Sequence, residues 1–137
     1  MTNFILIDNN KPREVISFGH WSLNPIDFVH LSGNNQGTVQ KCEGFKVDGY
    51  EKTIDIPEHK ILSFWDKMDE INVWSWESSY EHPEIKTTDG HMWSLELKNR
   101  NGRTVKTEGN NYYPKEYNKF IKSLNYLFGS EINQIYW

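Results

Sequence analysis

His91-Met-Trp-Ser-Leu-Glu-Leu-Lys98, followed by Asn99-Arg-Asn-Gly102 and Arg103-Thr-Val-Lys-Thr-Glu108, decides the fold. Trp93, Leu95 and Leu97 alternate with Ser94, Glu96 and Lys98. That is the period-two pattern of a strand with one face buried. The turn contains Asn-Gly, the strongest short-range hairpin signal, so 103–108 returns as the partner strand. Beyond Pro114 the period changes: Tyr117, Phe120, Ile121, Leu124, Leu127 and Phe128 fall at helical spacing, with Lys115, Lys119 and Lys122 opposite and Gly129 as a stop. This predicts a helix over 114–128.

Pro57 starts a similar segment, in which Ile61, Phe64, Trp65, Met68 and Ile71 make the apolar stripe of a helix over 58–72. Between the two helices, Val73-Trp-Ser-Trp-Glu77 alternates and reads as a strand. Weaker strand signals lie at 3–8, 14–19, 27–32, 37–42 and 50–55, punctuated by Ser32-Gly-Asn-Asn-Gln-Gly37 and Asp48-Gly49. Residues 27–72 and 91–128 both run strand, turn, strand, proline, helix, the pattern of a ββα duplication. The expected fold is α+β, with one antiparallel sheet and both amphipathic helices on one face.

With 137 residues the chain has room for a single domain, 1–137. Aromatics at 15% and hydrophobics at 36% supply a core despite a mean hydropathy of -0.76, so disorder is excluded. No run reaches the roughly 18 apolar residues of a spanning helix, and Met1–Asp8 lacks the basic start of an export signal. With its lone Cys42, the chain is expected to be cytoplasmic.

The net charge of -4 is unevenly spread. Residues 1–85 hold 14 acids against 7 Lys/Arg, giving -7; residues 86–137 hold 5 against 8, giving +3. Nucleic-acid affinity comes mainly from cations neutralising phosphates, so general nucleic-acid binding is not expected. The acidic half suits a protein partner with a basic surface, and the candidate binding residues are Glu43, Asp48, Tyr50, Glu51, Asp55, Asp66, Asp69 and Glu70.

Candidates for chemistry are few. His82, Glu84, Asp89 and His91 are residue types that ligate zinc or move protons, but their spacing matches no metal motif. Asp89 with Glu96-Leu-Lys98 has the residue types of a metal-dependent nuclease, and equally those of the polar face of a strand. His20, His30 and His59 stand isolated, and Cys42 has no signature of a nucleophile. There is no phosphate loop, nucleophile elbow or dinucleotide fingerprint, so no cofactor, no metal and no catalytic residue is expected.

Val73-Trp-Ser-Trp76, Asp89-Gly90-x-x-Trp93-x-Leu95-x-Leu97 and Gly109-x-Asn111-x-Tyr113-Pro114 together make a longer pattern. Over 73–128 the chain resembles a small uncharacterised domain that recurs in bacterial proteins. In size and acidity it is similar in type to toxin-immunity proteins and phage-encoded inhibitors. The uneven charge and this similarity in type lead to the expectation of a binding protein that occludes its partner, and the lack of catalytic motifs to the expectation that it is not an enzyme. The alternatives are a metal-dependent hydrolase or nuclease using the His82–Lys98 polar cluster, and a homo-oligomer pairing through an uncovered sheet face.

Overall fold

The structure, a computed structural model, describes residues 14–21, 26–32, 35–42, 50–81 and 91–135. Four strands come first: β1 (Val15–Trp21), β2 (Ile26–Ser32), β3 (Gln36–Cys42) and β4 (Tyr50–Asp55). Helix α1 (Glu58–Glu70) and a 3-10 turn (Val73–Ser75) follow. Then come β5 (Ser79–Glu81), β6 (Met92–Lys98), β7 (Thr104–Asn110) and helix α2 (Tyr117–Phe128). The strands form one seven-stranded sheet in the order β4-β3-β2-β1-β6-β7-β5.

The register sorts side chains onto two faces. Ile16, Phe18 and His20 stand opposite Leu31, Val29 and Asp27 on one side and Leu97, Leu95 and Trp93 on the other. Val39, Val105, Thr107 and Gly109 continue the same face. It is buried beneath both helices, against Ile61, Phe64, Trp65 and Met68 of α1 and Phe120, Ile121, Leu124, Leu127 and Phe128 of α2. The opposite face carries Ser17, Phe28, His30, Ser94, Glu96 and Lys106, and Gly19 on it is covered by the Phe28 ring lying across it.

The sheet corrects the expected fold. It is not a single antiparallel sheet, because β5 runs parallel to β7, with Tyr80 opposite Gly109. Nor is it a ββα duplication: β2, β3 and β4 precede α1, only β6 and β7 lead into α2, and β6 joins the free edge of β1 rather than repeating the first unit. β5 is three residues long and polar, too short to show a period.

Residues 73–77 are corrected as well. Asn72 enters the left-handed region at φ 52° and stops α1, and Val73–Ser75 winds into a 3-10 turn that buries Val73 instead of presenting an alternating face. Trp74 then stacks on Trp65, while Trp76 meets Trp93 and Phe120 edge-on. The strand expected at 3–8 lies outside the described residues.

An ion network around the buried Glu14 ties the start of β1 to both layers. Glu14, 2% exposed, accepts from Trp65 Nε1 at 2.7 Å and from Arg100 Nε and Nη2 at 3.0 and 3.1 Å. Arg100 also donates to both oxygens of Glu58 at 2.6 and 2.8 Å. One planar guanidinium, five donors in a fixed fork, satisfies two carboxylates.

Candidate functional site

At one end of the inner face a chain of polar side chains runs from the sheet to the rim of a cleft. The antiparallel β1–β2 register sets His20 directly across from Asp27, and Asp27 Oδ2 accepts from His20 Nε2 at 2.6 Å. His20 Nδ1 lies 2.8 Å from Nε2 of His91, and His91 Nδ1 lies 2.6 Å from the Tyr113 hydroxyl. Asp27 and His20 are buried, while His91 and Tyr113 are partly exposed.

Local backbone bonds hold the outer half in place. Asn111, left-handed at φ 55°, accepts the His91 N–H on Oδ1 and donates its own N–H to the His91 carbonyl, each at 2.8 Å. Trp93 Nε1 donates to the Tyr112 carbonyl at 3.0 Å. Tyr113 stacks on Trp93 at an interplanar angle of 14° and on His91 at 27°. Gly109 makes this stack possible by its size: its φ is not positive, but a Cβ there would fall inside the Trp93 indole.

Proton roles follow from satisfying every contact. The Asp27 carboxylate only accepts, so His20 Nε2 carries a hydrogen and His20 Nδ1 accepts from His91 Nε2–H. His91 Nδ1 then accepts the Tyr113 O–H. With His91 neutral, the hydrogens along the chain point from Tyr113 toward Asp27.

The surroundings favour a neutral His91. Burial first, and then repulsion from the neighbouring His20 ring, hold His91 down to about 4 from its ordinary 6.5. Burial pushes the Tyr113 hydroxyl up, and burial and Tyr113 push Tyr117, packed behind it at 4.8 Å between centroids, up further. A general acid or base works best with a pKa near the operating pH. His91 and Tyr113 are both displaced away from it.

The cleft, about 1190 Å³, lies between the ends of β5 and β7 and the start of α2. Tyr80, Tyr112, Tyr113, Pro114 and Ile135 give it an apolar wall, and Glu77, Lys115 and the Glu116–Lys119 ion pair line its rim. Tyr112 is one of the exposed large side chains.

The expected binding residues fall in three places. Glu43 and Asp48 lie outside the described residues. Tyr50, Glu51 and Asp55 belong to the edge strand β4, where Glu51 and Asp55 are exposed on the face turned away from the helices. Asp66, Asp69 and Glu70 are exposed together on the polar side of α1, on the other face of the sheet. Asp69 accepts from Trp74 Nε1 at 2.7 Å, and Glu70 pairs with Lys67 at 2.9 Å, which lowers its pKa.

The His82–Lys98 cluster is divided too. His91 belongs to the polar chain, Glu96 and Lys98 project from the outer face of β6, and His82, Glu84 and Asp89 lie outside the described residues. Among the described residues no three His, Cys, Asp or Glu are grouped to hold a metal. Sequence reasoning left His20 isolated and did not single out Asp27 or Tyr113. The β1–β2 register sets positions 20 and 27 opposite each other, and no sequence motif marks either; nothing local announces His91 beside His20.

No protein-family model and no curated protein matches the sequence. Among the described residues no helix is long and apolar enough to cross a membrane.

Proposed function

We propose that the chain is an intracellular binding protein that occludes a protein partner with a basic surface, in the manner of immunity proteins and inhibitors. The observation that carries this reading is the exposed carboxylate face of α1. Asp66, Asp69 and Glu70 sit at i, i+3 and i+4, so one helical face presents all three, with the Trp74 indole hydrogen-bonded to Asp69 beside them. Opposite charges speed association and select the partner, while a neighbouring aromatic supplies contact area. The polar chain at Tyr113 supports the same reading, because its two partly exposed members, His91 and Tyr113, are displaced away from neutral proton transfer.

The test uses the partner captured with the intact chain and confirmed by reciprocal titration. Reversing Asp66 and Glu70 to lysine leaves the Asp69–Trp74 bond in place. It is expected to slow association by about tenfold at low salt and to flatten its salt dependence, with the thermal midpoint unchanged. Unchanged association kinetics would overturn the assignment of this face. Nuclease or hydrolase turnover by the chain alone with Mg²⁺, Mn²⁺ or Zn²⁺, lost in His91→Ala or Glu96→Gln, would overturn the binding reading as a whole.

A further inference from the structure

We propose that the groove between α1 and α2 is a binding site for a phosphate monoester, which it holds between the ammonium groups of Lys67 and Lys122. The site lies on the α2 side of α1 and goes beyond the carboxylate reading of that helix, on which it does not rest.

The two helices run in opposite directions. Lys60 Nζ stands 4.7 Å over the Tyr126 ring, and one and two turns further along α1, Ser63 and Lys67 share a groove with Ser123 and Lys122. The buried Phe64 ring forms its apolar floor. The period that buries the core also places the walls: Lys60, Ser63 and Lys67 fall at i, i+3 and i+7 beside Ile61, Phe64 and Met68, and Lys119, Lys122 and Tyr126 repeat that spacing beside Phe120, Ile121 and Leu124.

The charge of the lining is one-sided. Its two charged side chains are both lysines, one from each helix. Lys67 pairs with Glu70 at 2.9 Å, an exposed contact that is cheap to exchange for another anion. Lys122 is exposed, and none of the ion pairs among the described residues includes it. Two like charges on the walls of one groove repel, and an anion placed between them turns that repulsion into two attractions. Ser63 and Tyr126 add hydroxyl donors. Ser123 gives its own hydrogen to the Lys119 carbonyl at 3.1 Å.

Size and charge select the ligand. The groove holds about 220 Å³, below the roughly 300 to 1,000 Å³ of pockets that enclose a whole drug-sized molecule, so it takes a head group and leaves the rest in solvent. A phosphate monoester carries about 1.5 to 2 negative charges at pH 7 and three terminal oxygens, enough to meet both ammoniums and a hydroxyl together. A carboxylate, with one charge and two oxygens in one plane, meets only one of them. Lysine suits this task because it acts as a point charge and demands no forked geometry. A small phosphate ester and a phosphorylated serine in a peptide carry the same group.

The test titrates the full chain at fixed ionic strength and follows its backbone amides by NMR. The probes are the end-blocked peptide Ala-phosphoserine-Ala, the same peptide with serine or glutamate at the centre, and glycerol 2-phosphate. The phosphoserine peptide should shift the amides of residues 63–67 and 122–126 saturably, and the serine and glutamate peptides should bind at least about tenfold more weakly. Lys67→Gln and Lys122→Gln should each weaken the phosphoserine peptide about tenfold with the thermal midpoint unchanged, while Lys106→Gln, on the outer face of the sheet, should leave its affinity alone. Glycerol 2-phosphate binding as tightly as the peptide would identify the phosphate group alone as what the groove reads; tighter binding of the peptide would identify a phosphorylated protein as its source. The absence of a saturable shift would overturn the site. So would equal binding of the glutamate peptide, unchanged affinity in both groove variants, or an equal loss in Lys106→Gln.

Discussion

Arg100 joins two carboxylates from opposite ends of the first half of the fold, Glu14 before β1 and Glu58 at the start of α1. Its fork reaches Glu14 and Glu58 together, and the hydrogen bonds to Glu58 and then to Glu14 push its pKa up against the opposing effect of burial. Removing one member of a buried ion network leaves the other charge uncompensated in a dry site, which typically costs about 3 to 5 kcal/mol. Arg100→Ala should therefore destabilise the chain by about that much in urea denaturation at neutral pH. Arg100→Lys should lose less, keeping the charge but not the double fork. A loss below about 1 kcal/mol in Arg100→Ala would show that Glu14 is satisfied by Trp65 alone. None of this was legible in the sequence, since Glu14 and Arg100 are 86 residues apart and the turn that holds Arg100 says nothing of its partners. The His20–Asp27 bond was not marked in the sequence either; it follows from the β1–β2 register, which sets the two residues opposite each other.

The elements were more readable than their arrangement. Both helices announced themselves by period, and α2 buries the apolar positions of its stripe: Phe120, Ile121 and Leu124 are each fully buried. Helix α2 also carries the segment that follows it. Asn125 exchanges two hydrogen bonds with Ile132 and accepts from Ser130, and Asn118 does the same with the backbone of Ile135. Leu124→Ala should cost about 2 to 5 kcal/mol, because a fully enclosed side chain leaves a cavity that close-packed neighbours fill only in part. Chemical denaturation showing less than about 1 kcal/mol would mean α2 repacks freely. Hairpin β6–β7 was readable for the reason α2 was: each period reports one buried face. The turn at 73–75 misled because alternating tryptophans look the same whether they face a sheet or wrap a tight turn, and Asn72 decides between the two. The parallel β5 had no signal, being held by its neighbours rather than by its composition.

For the whole molecule, the chemistry of His91 sets a direction for stability against pH. Its value is 6.5 ordinarily and about 4 in the folded chain, so as pH falls the unfolded chain binds the proton first. The contribution is complete above about pH 6.5, shrinks between 6.5 and 4, and is gone below. Its size is on the order of 1 to 2 kcal/mol once the ring's contact with water is allowed for. Urea midpoints at pH 7.5, 5.5 and 4.5 should fall more steeply for the native chain than for His91→Gln; parallel curves would mean that the ring titrates alike in both states. Strand order has another consequence, for the route to this structure. β1 pairs on one side with β2, across a short hairpin, and on the other with β6, whose partners lie 71 to 83 positions away in the chain. The first four strands can zip up early, but the second edge of β1 stays open until a distant segment closes a long loop and docks. Ribosomal synthesis lengthens that interval, since the nascent chain presents an unsatisfied strand edge until residue 98 has emerged, and an edge of that kind is where misassembly between growing chains would begin.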